Sequence, residues 1–450
     1  MKELRDLAEY LTGIRWTDFS EETVVAAKLV LADTLAAIVF GNQSQEIGEM
    51  ADRIRKRESG SFDIFGTRWQ TGAYSAAFLN GFGSVATEMD EGNQWSKGHP
   101  AAHVVPALLT SAQAMDNCSG QRLLQAVIAG YEACSRFGRA TTLRPEAHAH
   151  GTWGVMGAAA SVALLNGADA EQWVQAVMVS SHLALPTMWN SALEGALVRN
   201  VYAGHAAEIG LRAWDFVQSG IGAPKQSVEY VFGSVLGQRF NPADLHEGLG
   251  DVWDIQRNYF KPYAFCRYAH APIDAFSRIL ERHAVTLEKI ARIEVKTYAR
   301  AATLNNQQPH NVLAAKFSIP YALAVRFFTG KADVRSFGEE LLFHEGIRQL
   351  MKKIEVVPSA ELEKDYPSIM PAVVTLTTTD GEVYEERCDM ARGGLTDPFT
   401  VDELKAKFMD LTAAAYAPDT QAQLWELIWT LEQQPSLAPL FDALRSIHRV

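Results

Sequence analysis

Apolar residues recur at helical spacing through roughly the first 260 positions. Ser20 stands before Glu21 and Glu22, apolar residues follow as far as Phe40, and Gly41 closes the run. That order predicts an N-capped helix. Lys28 and Asp33 interrupt its apolar stretch, so it reads as a buried helix and not as a membrane span. Further helices are expected over 73–89, 106–115, 121–137, 152–165, 170–183 and 200–218. Pro186 breaks the chain after the fifth of these and Gly220 closes the last. Alternation of β-branched residues is nearly absent from this half.

The period changes beyond residue 260. Residues 290–297 (IARIEVKT), 353–357, 372–379 and 383–388 alternate in the manner of strands, with Asp380-Gly381 as a hairpin turn between the last two. Helices are expected at 315–329, despite Pro320, and at 336–353. Helical spacing returns at 403–409, 419–432 and 437–448. The expected architecture is therefore mainly α. A large all-helical domain takes residues 1–262 and 398–450, with the C-terminal helices packed back on the first ones. A smaller α+β unit takes 263–397. At roughly 150 residues per domain the length of 450 would allow about three. The pattern reduces that to two.

Composition alters this picture in three places. With 48% hydrophobic and 21% charged residues there is ample apolar surface to bury, which excludes disorder for most of the chain. The formal charge of −12 weighs against nucleic acid as a partner. It also weighs against acidic small molecules, unless a local cluster of bases overrides the net field. The four cysteines form no CxxC, as befits a reducing compartment such as the cytosol. The N-terminus mixes acids and bases and does not have the form of a signal peptide.

Four clusters can carry chemistry. The first is an acidic loop from Glu88 and Asp90 through Gly92 to Gly98-His99-Pro100, in which carboxylates flank a histidine that can act as acid or base. The same residues also read as a solvated helix cap. The second is His148-Ala149-His150-Gly151 before a small-residue helix, where a helix dipole favours neutral imidazole. The HxH pair raises a metal, but no HExxH or cysteine partner accompanies it, so no metal is expected. The third centres on Arg199, placed to clamp a carboxylate or to close an internal ion pair. The fourth is Lys261-Pro-Tyr-Ala-Phe-Cys266-Arg-Tyr-Ala-His270 at the expected domain junction, a favoured place for a small-molecule site. No motif supports Cys266 as a nucleophile. There is no GxGxxG after a strand, no phosphate loop and no GxSxG elbow.

Taken in order, Asp33 to Ala37, the Gly-His-Pro loop, 148–157, 199–207, 261–275 and Phe317 to Tyr321 resemble the MmgE/PrpD family over nearly the whole chain. That family includes 2-methylcitrate dehydratase, cis-aconitate decarboxylase and iminodisuccinate epimerase. The resemblance implies a helical domain with a smaller α+β lid, a homodimer, and a site between the domains with no organic cofactor. It implies pocket positions at Glu88, Gly92, His99, His148, Arg199, Lys261, Cys266 and Tyr321. There are departures. A D-x-D-D-T loop is replaced by Glu88-Met-Asp-Glu-Gly92, arginine stands for lysine at 199, and Cys266 stands for histidine with His270 one turn later.

The expected chemistry is a lyase acting on a small di- or tricarboxylate, with dehydration as the lead. Decarboxylation and epimerisation are alternatives on the same scaffold, and a non-catalytic carboxylate-binding protein is an alternative of another class. His99 and His148 fit the acid/base roles, Arg199 and Lys261 the carboxylate clamps, and Tyr321 a proton donor. Glu88 or Asp90 would orient His99, and Cys266 and His270 would line the substrate. Neither nucleic acid nor membrane is an expected partner.

Overall fold

The computed structural model describes residues 1–448. The chain is mainly α-helical. The helix Glu21–Gly41 begins where the cap predicts, with the Ser20 hydroxyl accepting the Thr23 amide at 3.2 Å. It is long and apolar enough to cross a membrane, yet most of it is buried inside the protein. Its two interior charges are met by the C-terminal helices. Lys407 Nζ lies 2.6 Å from Asp33, and Lys28 Nζ lies 2.7 Å from Glu432. Val401–Thr412 and Pro418–Trp429 lie against Glu21–Gly41, Ala438–Arg445 packs on Pro418–Trp429, and Arg445 pairs with Asp63 at 2.9 Å.

Ala73–Ala86 and Val198–Gln218 are the closest helix pair near the site. A β-carbon on Gly81 would meet the backbone of Ala203 and Gly204 at 2.9 Å. That closeness brings the end of one helix, where Glu88 follows, to the start of the other, where Arg199 sits. The helix expected from Pro106 instead starts at Pro100. Proline is favoured in a first turn, and the spacing rule missed that because Pro106 looked like the start. Pro106 lies inside the helix, where it cannot bond the Ala102 carbonyl. Ser84 Oγ approaches that carbonyl at 3.3 Å, although its single hydrogen points first to the Gly81 carbonyl at 2.7 Å.

Two short antiparallel ladders, Phe62–Asp63 with Gln70–Thr71 and Thr141–Leu143 with Gly237–Phe240, lie in the half expected to be wholly helical. At two to four residues they are too short to show alternation. The main sheet has the order Ile354–Pro358, Ile290–Thr297, Ala372–Thr378, Val383–Cys388. Its first pair is parallel and the others antiparallel. A parallel pair needs a crossover, and here the crossover contains the helices Ile319–Thr329 and Glu345–Met351. The helix expected at 315–329 is split, because Ser318 caps a new helix with Pro320 in its first turn. The helix expected at 336–353 is likewise two pieces, the second capped by His344. The hairpin turn forms at Asp380-Gly381, with Gly381 at φ +91°.

Candidate active site

Glu88 follows the Ala73–Ala86 helix, Arg199 is the second residue of Val198–Gln218, and Lys261 lies in the segment before His270–Arg282. Each is at most 1% exposed. Lys261 Nζ donates to Glu88 Oε2 at 3.0 Å and to Asp90 Oδ1 at 2.9 Å. Arg199 Nη2 pairs with Glu88 Oε1, and Arg199 Nη1 donates to the Val85 carbonyl at 2.9 Å. Two carboxylates and two cations thus form one buried network. Burial alone would raise Asp90, but His99 and Lys261 facing it outweigh that and hold its carboxyl well below the usual range. Burial alone would lower Lys261, but Asp90 and Glu88 hold its ammonium above its ordinary value.

His99 stands at the N-cap position of the Pro100–Gln113 helix, whose Ala101 amide is bound by Glu91 and not by the imidazole. Its Nδ1 lies 2.8 Å from Asp90 Oδ2 and 2.5 Å from the Glu91 carbonyl oxygen. Both neighbours only accept, so Nδ1 carries the proton and Nε2 presents a lone pair. His148 is set the opposite way. Its Nδ1 accepts the His150 backbone amide at 3.1 Å, which leaves the proton on Nε2. Burial, followed by the Arg199 and Arg300 charges, pushes His148 well below the ordinary imidazole value, so it is neutral at physiological pH. The rings of His99 and His148 both stack against His150, with centroids 5.2 and 5.0 Å from it. Arg199 Nη2 donates to His150 Nε2 at 3.3 Å, so His150 carries its proton on Nδ1 and donates it in a hydrogen bond to His103 Nε2 at 3.1 Å. Burial keeps His103 neutral, down at about 3.

The structure brings Glu88, His99, His148, Arg199 and Cys266 to one cavity, together with Lys97, Trp189, Tyr259, Arg267, Tyr268, Arg300 and Phe317. Glu88 and Lys97 are the two non-glycine residues with positive φ, +56° and +54°, among those described. Such backbone is uncommon outside glycine and concentrates at functional sites. Asp90 and Lys261 lie behind the wall. Lys261 is therefore not an open carboxylate clamp, because both of its anionic partners are internal. Glu88 and Asp90 neutralise Arg199 and Lys261, so this pair does not supply the local cluster of bases that would override the net negative charge.

Gly92 does not reach the cavity, but its backbone pairs with Tyr259, amide to carbonyl at 3.0 and 2.8 Å. A β-carbon at 92 would overlap the Tyr259 ring. The family's threonine has no room beside that tyrosine. Burial, reinforced by Glu88, pushes the Cys266 thiol up to about 12, which leaves it un-ionised and a poor nucleophile. Tyr321 and His270 are not brought to the cavity. The Tyr321 hydroxyl donates to the Ser336 carbonyl at 2.7 Å, and His270 Nε2 faces the Phe265 carbonyl at 3.0 Å. Both are buried and held by carbonyls of segments outside their own helices, which sequence order could not reveal.

Sequence reasoning missed Lys97, Tyr259, Arg267, Arg300 and Lys316. Lys316 donates to the Ala86 carbonyl at 2.8 Å, and burial lowers it to about 8. Arg267 had a signal, since it lies inside the motif between Cys266 and His270. Asp90, His99 and His150 bring ligand-type atoms within 4.8 Å of one another. Hydrogen bonds already engage that trio, Asp90 with Lys261 and His99, and His150 with Arg199 and His103. The arrangement suits a proton relay better than a metal.

The MmgE/PrpD N-terminal domain matches residues 5–242 and the MmgE/PrpD C-terminal domain matches residues 263–433. Among similar proteins, a cis-aconitate decarboxylase of Aspergillus terreus (strain NIH 2624 / FGSC A1156) is 22% identical, over 98% of this chain and 95% of its own. The Homo sapiens cis-aconitate decarboxylase is 24% identical, over 97% and 93%. The Mus musculus enzyme of the same name is 25% identical, over 82% and 78%. The chain is a lyase and belongs to the MmgE/PrpD family, both of whose domains it carries.

Proposed function

We propose that the protein eliminates water from a small di- or tricarboxylate without a cofactor. The observation that carries this reading is the opposite protonation of two histidines on one cavity. His99 offers a lone pair at Nε2, backed by Asp90, and His148 offers a proton at Nε2. Elimination needs both at once. His99 takes the proton from the carbon next to a carboxylate, and the electron pair spreads into that carboxylate. His148 then protonates the departing hydroxyl, which leaves as water, and solvent returns the proton balance. A carbanion beside a carboxylate is a high-energy species, and cationic groups stabilise it.

Decarboxylation is the second reading, favoured by the names of the relatives above. It needs only the acid. A carbon–carbon bond breaks, CO₂ leaves with its electron pair remaining on the carbon, His148 protonates that carbon, and solvent returns the proton to His148. On either reading, 263–397 serves as a smaller lid over a helical domain of 1–262 and 398–450. The cavity draws Glu88, His99, His148 and Arg199 from one part and Cys266, Arg267 and Phe317 from the other. The same reading has the enzyme act as a homodimer in the cytosol.

The test is incubation of the purified protein with citrate, methylcitrate, malate and aconitate analogues in D₂O, followed by NMR. Loss of water supports the lead, loss of CO₂ the second reading, and α-deuteration alone an epimerase. Binding of these compounds without any chemical change would sink both the elimination and the decarboxylation proposed here.

A further inference from the structure

The cations first expected to hold the substrate are already committed. Arg199 and Lys261 are balanced by Glu88 and Asp90, so that cluster presents no net charge to a polyanion. Three other cations line the same cavity: Lys97, Arg267 and Arg300. Among the described residues none of the three has a carboxylate partner at ion-pair distance, in contrast to Arg199 and Lys261.

Each arginine is held in place without being neutralised. Arg267 donates to the Arg392 carbonyl at 2.9 Å and the Ala391 carbonyl at 3.1 Å, and its guanidinium lies 4.4 Å from the Tyr259 ring centroid. Arg300 donates to the Pro145 carbonyl at 2.6 Å and the Ala147 carbonyl at 3.2 Å, 3.9 Å from the Trp189 centroid. Carbonyls and ring faces fix direction but carry no full charge. A guanidinium has five N–H donors, so both retain donors for a ligand. Arg267 is only 7% exposed, and a buried cation with no counter-ion is costly. Lys97 holds a left-handed backbone where glycine would be unstrained. Lys97 and Arg300 also line an adjoining cavity of about 250 Å³, so they stand where the two spaces meet.

We propose that Lys97, Arg267 and Arg300 are the specificity-determining residues of this site. They bind the non-reacting carboxylates of a di- or tricarboxylate and leave His99 and His148 to address the reacting carbon. The inference rests on the polycarboxylate reading above. Its particular content is that recognition belongs to these three cations and not to Arg199 and Lys261.

The test is calorimetric titration of tricarballylate, a tricarboxylate with no hydroxyl to lose, with butyrate as the single-carboxylate control. Wild-type protein should bind tricarballylate and not butyrate. Arg300→Met and Lys97→Met should each weaken binding at least tenfold and flatten its salt dependence. Arg267→Lys keeps the charge but loses the fork, and should weaken it less. Lys97→Gly removes the amine while relaxing the backbone, so weaker binding with an undiminished Tm separates recognition from folding. Binding within twofold of wild type in both Arg300→Met and Lys97→Met would overturn the inference and leave the lyase reading standing. Weakened binding without turnover of any panel compound would leave the inference standing and overturn the dehydration reading. No tricarballylate binding by wild type would overturn the inference together with the polycarboxylate reading.

Discussion

Replacing Glu91 by glutamine should stabilise the protein, and increasingly so as pH rises. Glu91 is fully buried behind His99. Its Oε1 accepts the Ala101 amide at 2.7 Å and its Oε2 accepts the Tyr131 hydroxyl at 2.8 Å. Burial, reinforced by Asp90 and Asp33, pushes its carboxyl from an ordinary 4.5 up to about 8. In the unfolded chain the group ionises near 4.5. Between the two values the folded protein therefore keeps a proton that the unfolded chain has released. Stability from this group is fully present below pH 4.5 and falls as pH rises towards 8. The gap of about 3.5 pH units corresponds to about 5 kcal/mol above pH 8, and to about 3 kcal/mol at pH 7, at 1.36 kcal/mol per unit. Glutamine never ionises and keeps the acceptor for Ala101. The advantage of Glu91→Gln over wild type should thus grow by about 2–3 kcal/mol from pH 5 to pH 7. Urea unfolding followed by tryptophan fluorescence at pH 5, 6, 7 and 8 measures it. A difference between the two proteins that stays flat across that range would refute the reasoning.

Three other outcomes are expected. His99→Gln removes the Nε2 lone pair and should lower kcat by about 10²–10⁴ with the fold intact by circular dichroism; a wild-type rate would remove His99 from the mechanism. Lys261→Met leaves Asp90 and Glu88 short of a cation in a buried network and should cost about 3–5 kcal/mol in urea unfolding. A loss below about 1 kcal/mol would mean the network is solvated. Tyr321→Phe should leave kcat and KM unchanged, because its hydroxyl is spent on the Ser336 carbonyl, while stability falls by about 1 kcal/mol. A large drop in kcat would return Tyr321 to the site.

Much of the secondary structure was legible in local order, because caps, turns and apolar spacing act within a few residues. Ser20, Gly41, residues 290–297 and Asp380-Gly381 all behave as their local chemistry dictates. Where prolines were weighed by position alone, as at Pro106 and Pro320, the boundaries shifted, since a proline is tolerated in a first turn, as Pro100 and Pro320 are. The family, too, was legible, because an ordered set of weak motifs is specific even when each is not.

What the sequence could not contain is which charges meet. It placed Glu88, Asp90, His99, His148, Arg199 and Lys261 among the candidates, and all six gather in and behind one cavity. It gave Arg199 and Lys261 the role of clamps. Only the close approach of two helices across Gly81 and Gly204 puts Arg199 on Glu88, and only the loop before His270–Arg282 puts Lys261 between two carboxylates. An ion pair is a matter of a few ångströms between residues more than a hundred positions apart, and pairing decides whether a cation is free for a ligand. The same holds for the histidines. Sequence supplies imidazoles, but the neighbours of Nδ1 decide which one carries its proton towards the cavity.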